Sequence, residues 1–283
     1  NILIRVIQLK MKKIYNFNIF KLIKLIVNII KYKKKALYFK LITSFSIGDF
    51  LFSYDGLKIY ISNSNKEDIT FKYVISGFYL NDYSQKLQFY NNEFYFIDIG
   101  SNIGFYSIKA LKNKQCKGVI SFEPNPKVFK DLKKNLKNNS IKKYYIFNYA
   151  ISKHNSKSKL FINKEDTGSS SLNIPRNSIG KVINITTKNY IFFDKIKFKN
   201  FKGITKIFVK IDTEGHDINV LNQLKKSKIF NKVFNIYIET KNTKKNIKII
   251  QKKLKNFSLI SKNPIIENIK DNRLIDLEFE RNI

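Results

Sequence analysis

The chain has 283 residues, 43% of them hydrophobic, and a formal net charge of +33. That size and apolar share allow a buried core in one α/β domain with an N-terminal extension, while a lone cysteine, Cys116, excludes an intrachain disulfide and a thiolate zinc site. The charge invites a nucleic-acid reading, but of 54 basic residues only Arg5, Arg176, Arg273 and Arg281 are arginine, the better fork for phosphate, so nucleic acid is not the expected partner.

Residues 1–48 carry ten lysines, Arg5 and no acid. Within them Lys21, Lys24, Asn28 and Lys31 share one helical face, and Phe20, Ile23, Ile26, Val27 and Ile30 the other. A basic amphipathic helix of this kind suits an anionic membrane surface, so peripheral contact through residues 14–35 is one expectation, and packing on the domain is the other. Lys21 and Lys24 interrupt a stretch already too short to span a bilayer. No small-residue cleavage site follows Met11-Lys12-Lys13, and a single cysteine fits a reducing compartment, so the expected location is cytoplasmic. Residues 49–92 read as a small cap or lead-in with short strands, including Gly56 to Ile61, and a turn at Asn63-Ser64-Asn65.

The apolar run Phe94 to Ile99 predicts a buried strand that delivers Asp98 to a loop carrying Gly100 and Gly104, whose lack of a Cβ lets a backbone approach a ligand. Asn102 and Phe105 stand where a dinucleotide fingerprint needs glycine, which disfavours NAD, and no Walker A sequence follows. A helix over Ile103 to Leu111 and a strand over Gly118 to Phe122 come next, and that strand ends at Glu123, at the spacing where an acid on the next strand tip meets ribose hydroxyls. Pro124-Asn125-Pro126 breaks it. Val128, Phe129, Leu132 and Leu136 then recur at helical spacing, and a third strand is predicted over Tyr144 to Ile151. This alternation predicts a doubly wound, mostly parallel sheet over residues 93–283, with ligands at the strand carboxyl ends.

Residues 152–190 form a polar insertion, with Asp166 to Ser171 at its centre, long enough to border an acceptor pocket. Ile204 to Ile211 reads as a buried strand followed by a turn, Asp212-Thr213-Glu214-Gly215-His216-Asp217, on the same rim as the glycine loop. Val233 to Ile238 is the next strand, with Glu239 at its end facing Asp212, and the alternating tail Leu274 to Phe279 is expected to complete the sheet.

Several of these segments together resemble the FkbM-type S-adenosylmethionine-dependent methyltransferases. They are Phe96 to Ser107, Phe122 to Pro126, Asn148 to Ser152, Gly168 to Leu172 and Val209 to Asp217, spread over roughly residues 75–260. The resemblance implies a class I methyltransferase (Rossmann-like) fold and S-adenosylmethionine as cofactor. Asp98, Gly100 and Gly104 would then lie under its methionine part, with Ser101 and Asn102 in the same loop. Glu123 would hold the ribose beside Pro124 and Asn125, and Ala150 would lie near the adenine. The family often has Ala at Ser101 and Glu at Asp217, departures that leave the cofactor expectation intact.

The implied reaction is methylation of a hydroxyl on a sugar, glycan or other small molecule. Removing the hydroxyl proton needs a base, for which Asp212, Glu214 and His216 are the candidates. No metal is expected; if one exists, Asp212 and Glu239 are its ligands, by analogy with catechol-type enzymes of the fold. The contrasting readings are an RNA methyltransferase, or a non-enzymatic module of the same fold that binds RNA or membrane through the basic arm.

Overall fold

The computed structural model describes residues 34, 37, 49–62, 65–139, 144–173, 180–196, 206–265 and 274–282. The chain divides into two units, Asn1–Ser46 and Ile47–Ile283. In the first only Lys34 and Leu37 are described, both helical and exposed, so the amphipathic helix and the membrane contact expected of residues 14–35 otherwise lie outside the described residues. No helix among the described residues is long and apolar enough to cross a membrane.

The second unit opens with an antiparallel pair, β1 (Phe50–Phe52) and β2 (Lys58–Tyr60), then helices α1 (Ile69–Ser76) and α2 (Asp82–Phe89). Sequence reading anticipated the strands and missed the helices, whose signals are caps. The Asp68 carboxylate accepts from the Phe71 amide, and Asn81 and Ser84 form a reciprocal capping box.

Strand and helix then alternate as the periodicity predicts: β3 (Phe94–Ile99), α3 (Phe105–Lys112), β4 (Cys116–Phe122), α4 (Pro126–Asn139) and β5 (Tyr144–Phe147). Pro126 begins α4, where its missing N–H costs nothing, and the Asn125 side chain accepts from the Lys127 amide. The predicted strand over 144–151 is divided. β5 ends at Phe147, and the Asn148 side-chain amide pins the break by donating to the carbonyls of Glu123 and Pro124 at 2.8 and 3.0 Å. Beyond it β6 (Ala150–Ile151), β7 (Ser156–Ile162) and β8 (Lys181–Lys188) make a separate three-stranded sheet, which is the frame of the insertion.

Helix α5 (Tyr190–Lys195), β9 (Ile207–Ile211), α6 (Asp217–Lys226), β10 (Val233–Lys241), α7 (Lys244–Lys253), β11 (Phe257–Ile265) and β12 (Leu274–Arg281) follow. The seven-stranded sheet has the order β11-β12-β10-β9-β3-β4-β5. The five strands from β10 to β5 are parallel, and β12, the expected tail strand, lies antiparallel between β10 and β11. Glu239 therefore lies within β10 and not at its end, because pairing with β12 carries that strand on to Lys241.

The two faces of the sheet differ in chemistry because side chains alternate. One face is apolar: Ile97, Ile99, Phe122, Val209, Ile211, Ile236, Ile238 and Leu277 pack with Val220, Leu221 and Leu224 of α6 and Ile250 of α7. On the other face a polar row crosses five strands in register, Ser121, Asp98, Lys210, Tyr237 and Glu278. The chain leaves β3 toward β4 on one side and returns to β9 on the other. The switch point between β3 and β9 is where this architecture opens a crevice at the strand ends.

Candidate functional site

At the switch point two strand tips meet backbone to backbone. Gly100 has φ +80°, and a Cβ there would stand 1.7 Å from the Asp212 carbonyl oxygen, while the Asp212 amide donates to the Ile99 carbonyl at 3.0 Å. Gly104, at φ +90°, would place a Cβ 2.6 Å from Leu132 of α4. Both glycines thus have a packing reason that sequence reading, which assigned them to ligand approach, did not include. Between them the Ser101 amide donates to the Phe122 carbonyl at 3.0 Å, and Asn102 takes the left-handed conformation at φ +47°.

That bend aims the Asn102 amide at Glu123, on the tip of β4. Each Glu123 oxygen accepts one backbone N–H, from Asn102 at 2.9 Å and from Asn125 at 2.8 Å. The carboxylate is buried, and burial pushes it up to about 7 against those two hydrogen bonds. Each oxygen keeps a further lone pair. Pro124 follows in the turn that Asn148 holds. Ala150 is buried in the small sheet, packed with Leu160 and Ile185.

Asp98 is fully buried. Its Oδ2 accepts from the Ser107 hydroxyl at 2.6 Å, and Ser107 meets Ser121 at 2.8 Å, but its Oδ1 has no hydrogen-bond partner among the described residues. Burial pushes the carboxyl up, opposed by the Lys210 ammonium and the Ser107 bond. Lys210, which sequence reading passed over, is buried on β9 with its ammonium 2.7 Å from Asp212 Oδ2 and over the Tyr106 ring. Burial alone would lower it, and the charges of Asp212 and Asp98 instead hold it well above the ordinary lysine range. A lysine inside an otherwise apolar strand was the available signal.

The acidic turn is assembled as the sequence suggested, with additions. Asp212, Glu214 and Glu239 each offer an oxygen within 4.8 Å of the others, a spacing a hard divalent cation can bridge, although Lys210 already occupies one Asp212 oxygen. Burial, then the charges of Asp212 and Glu214, push Glu239 well above the usual carboxylate range. Asp276, opposite Glu239 on β12, is pushed up to about 7, chiefly by burial. Nothing in the alternating tail marked Asp276 as part of this group.

Other residues of the turn hold its shape. Asp217 accepts the Thr213 amide and hydroxyl, both at 2.8 Å, and the Gly215 amide at 3.1 Å. Glu214 sits at φ +51°, strained for a residue with a Cβ, with its carbonyl held by the Ser171 hydroxyl at 2.7 Å. His216 has both ring nitrogens engaged, Nε2 with Ser152 at 3.1 Å and Nδ1 with Asn219 at 3.3 Å, and burial lowers its pKa. It braces the entry to α6, and of the three candidate bases it has the least free geometry.

The insertion reaches this site from the side. The Asn102 side-chain amide donates to Thr167 at 3.4 Å, and the Asn173 amide donates to the Gly215 carbonyl at 3.1 Å. The same loop is fastened to α1: the Thr167 amide donates to Asp68 at 2.8 Å and the Thr70 hydroxyl to Asp166 at 2.7 Å. Residues 166–173 therefore span from the glycine loop to the acidic turn.

The sequence model described as Methyltransferase FkbM domain matches residues 98–260. No curated protein sequence matches the chain. Among solved structures, TrmK of M. capricolum in complex with S-adenosyl-homocysteine is 16% identical over 71% of this chain and 67% of its own, with a TM-score of 0.40. A Pyrococcus abyssi tRNA (uracil-54, C5)-methyltransferase in complex with S-adenosyl-L-homocysteine is 11% identical over 82% of this chain and 44% of its own, at a TM-score of 0.42. A putative tRNA (m1A22) methyltransferase of Streptococcus pneumoniae in complex with S-adenosyl-L-methionine is 12% identical over 71% and 72%, at a TM-score of 0.41.

Proposed function

The chain belongs to the FkbM methyltransferase domain family, an S-adenosylmethionine-dependent class I fold, and from that premise we propose that it methylates a hydroxyl of a sugar, glycan or other small molecule. The observation that carries this reading is the placement of Asp212, Glu214 and Glu239 on the rim beside the glycine loop. A proton acceptor and a cofactor cradle then share one crevice.

The residues fit the cofactor on two counts. Asp98 Oδ1 is a buried acceptor without a protein partner, suited to a cationic group such as the methionine ammonium. Glu123 is held by two backbone N–H groups that fix its orientation and leave lone pairs for two ribose hydroxyls. Ser101, Asn102, Pro124 and Asn125 set the backbone around those carboxylates, and Ala150 is assigned to the adenine side by family resemblance. Bound S-adenosylmethionine supplies an electrophilic methyl group on a sulfonium sulfur.

The chain's own part is to align the acceptor oxygen and take its proton. Asp212 is the proposed proton acceptor, since Lys210 fixes one of its oxygens and leaves the other to face the acceptor. Glu214 and Glu239 bind neighbouring hydroxyls. His216 supports the turn. The reaction needs no cation on this reading, so methyl transfer persists in excess chelator, and loss of activity restored by magnesium would assign the three carboxylates to a metal.

An RNA acceptor is the competing reading, invited by the net charge of +33. The acidic rim, with Asp212 and Glu214 beside the glycine loop, opposes a phosphate backbone there. A cytoplasmic location belongs to the proposal and is supported by the single, buried Cys116. Tritium transfer from labelled S-adenosylmethionine to a panel of methyl glycosides and to mixed tRNA tests it. Label in a glycoside supports the proposal, and label in tRNA alone overturns it.

A further inference from the structure

The turn Phe78 to Asn81 joins α1 to α2 and precedes the matched residues 98–260. It nonetheless reaches into the polar face of the sheet. The Asn81 side-chain amide donates to the Tyr106 hydroxyl at 2.8 Å and to the Tyr237 hydroxyl at 3.2 Å. Those two phenols come from α3 and β10, and the Tyr106 ring carries the Lys210 ammonium at 4.8 Å. Tyr83 of α2 stacks on Tyr237 with centroids 4.1 Å apart. One asparagine thereby ties the lead-in to the helix after the glycine loop and to the strand that carries Glu239.

Two residues earlier, Tyr79 packs its ring on Phe105 at 5.9 Å and on Tyr73 at 6.3 Å. Its hydroxyl makes no hydrogen bond among the described residues. Burial and the nearby charges of Asp212, Asp166 and Glu239 all raise this phenol. The contact with Phe105, the residue that follows Gly104, is what sets the Tyr79 ring beside the glycine loop. Tyr79 is crowded by the surrounding fold but, unlike the buried Tyr106 and Tyr237, keeps part of its surface exposed, so of the three it is the one placed to touch a bound molecule.

We propose that the Phe78 to Asn81 turn is the acceptor-side wall of the site, with Tyr79 a specificity-determining contact and Asn81 a positioning residue acting through Tyr106 and Tyr237. A ring bearing several hydroxyls matches this wall. Its apolar face lies on the Tyr79 ring, one hydroxyl accepts from the Tyr79 phenol, and its other hydroxyls donate to Asp212 and Glu239. The inference rests on the hydroxyl-acceptor reading above and adds to it a recognition element outside the matched domain.

The test uses the full chain saturated with S-adenosylhomocysteine and methyl β-D-glucopyranoside as probe, with binding read by saturation-transfer NMR. Tyr79→Phe keeps the ring and removes the hydroxyl; Asn81→Ser keeps an oxygen for the helix cap and removes the donor to the two phenols. Both variants are expected to bind the glycoside at least about fivefold more weakly, as loss of one hydrogen bond implies. Their S-adenosylhomocysteine affinity is expected to stay within about twofold, a split that a merely structural defect would not produce. Wild-type glycoside binding that both variants retain overturns the inference and leaves the function standing. No glycoside binding by a wild type that binds S-adenosylhomocysteine overturns the acceptor class, and the wall assignment with it.

Discussion

Glu123 and Asp212 are both carboxylates on strand tips, and their surroundings differ: two backbone N–H groups hold Glu123, and the Lys210 ammonium holds Asp212. Glu123 is pushed up to about 7 by burial, so it is neutral below that pH and ionised above it. Only the ionised form accepts from two ribose hydroxyls, so S-adenosylhomocysteine affinity should rise between about pH 6 and pH 8 and then level off. Glu123→Gln should bind roughly tenfold or more weakly at pH 8 and lose that pH dependence, which calorimetry at three pH values checks. Asp212 is the partner of a buried lysine. Asp212→Asn leaves the buried Lys210 ammonium with Asp98 as its remaining counter-charge, at a cost of roughly 1–3 kcal/mol in unfolding free energy, below that of a wholly unpaired buried charge. Adding Lys210→Met should recover most of that stability and none of the methyl transfer, which should be down by about 10²–10⁴ in both. Transfer that returns with stability would remove Asp212 from the chemistry.

At the scale of elements, the insertion loop and the lead-in act as one clasp. Asp68 caps α1 and also receives the Thr167 amide, so Asp68→Ala should cost about 1–2 kcal/mol and free residues 166–171 together. Deleting Thr167 to Ser171 should impair acceptor binding while S-adenosylhomocysteine affinity is nearly retained; equal loss of both would show that the loop belongs to the cofactor side. The sequence made β3, β4, β9 and β10 legible because buried parallel strands read as mostly apolar runs, with Glu123 and Asp212 just past the ends of β4 and β9 and Asp98 one residue before the end of β3. It was silent on α1, whose β-branched and aromatic residues suit a strand equally well, and on α2, which has few apolar positions; both show themselves mainly through Asp68 and Asn81 as caps. The break after Phe147 was equally hidden, because Asn148 achieves it through carbonyls 24 and 25 residues away. Asp276 and Tyr237 joined the site only through strand pairing, which no local pattern encodes.

For the whole molecule, charge and site point in opposite directions. The +33 surplus is carried almost wholly by lysines spread along the chain, whereas the crevice gathers Asp98, Glu123, Asp212, Glu214, Glu239 and Asp276 around one buried Lys210. Binding of mixed RNA should therefore be nonspecific, weakening by orders of magnitude between about 50 and 200 mM salt, and should not depend on whether S-adenosylhomocysteine is bound. The claim on which the rest depends is where the methyl donor lies. Isothermal calorimetry of S-adenosylhomocysteine with the wild type, Asp98→Asn and Glu123→Gln at pH 8 tests it most directly. The account predicts one saturable site in the wild type and a clear loss of affinity in each variant. Unchanged affinity in both variants would contradict it.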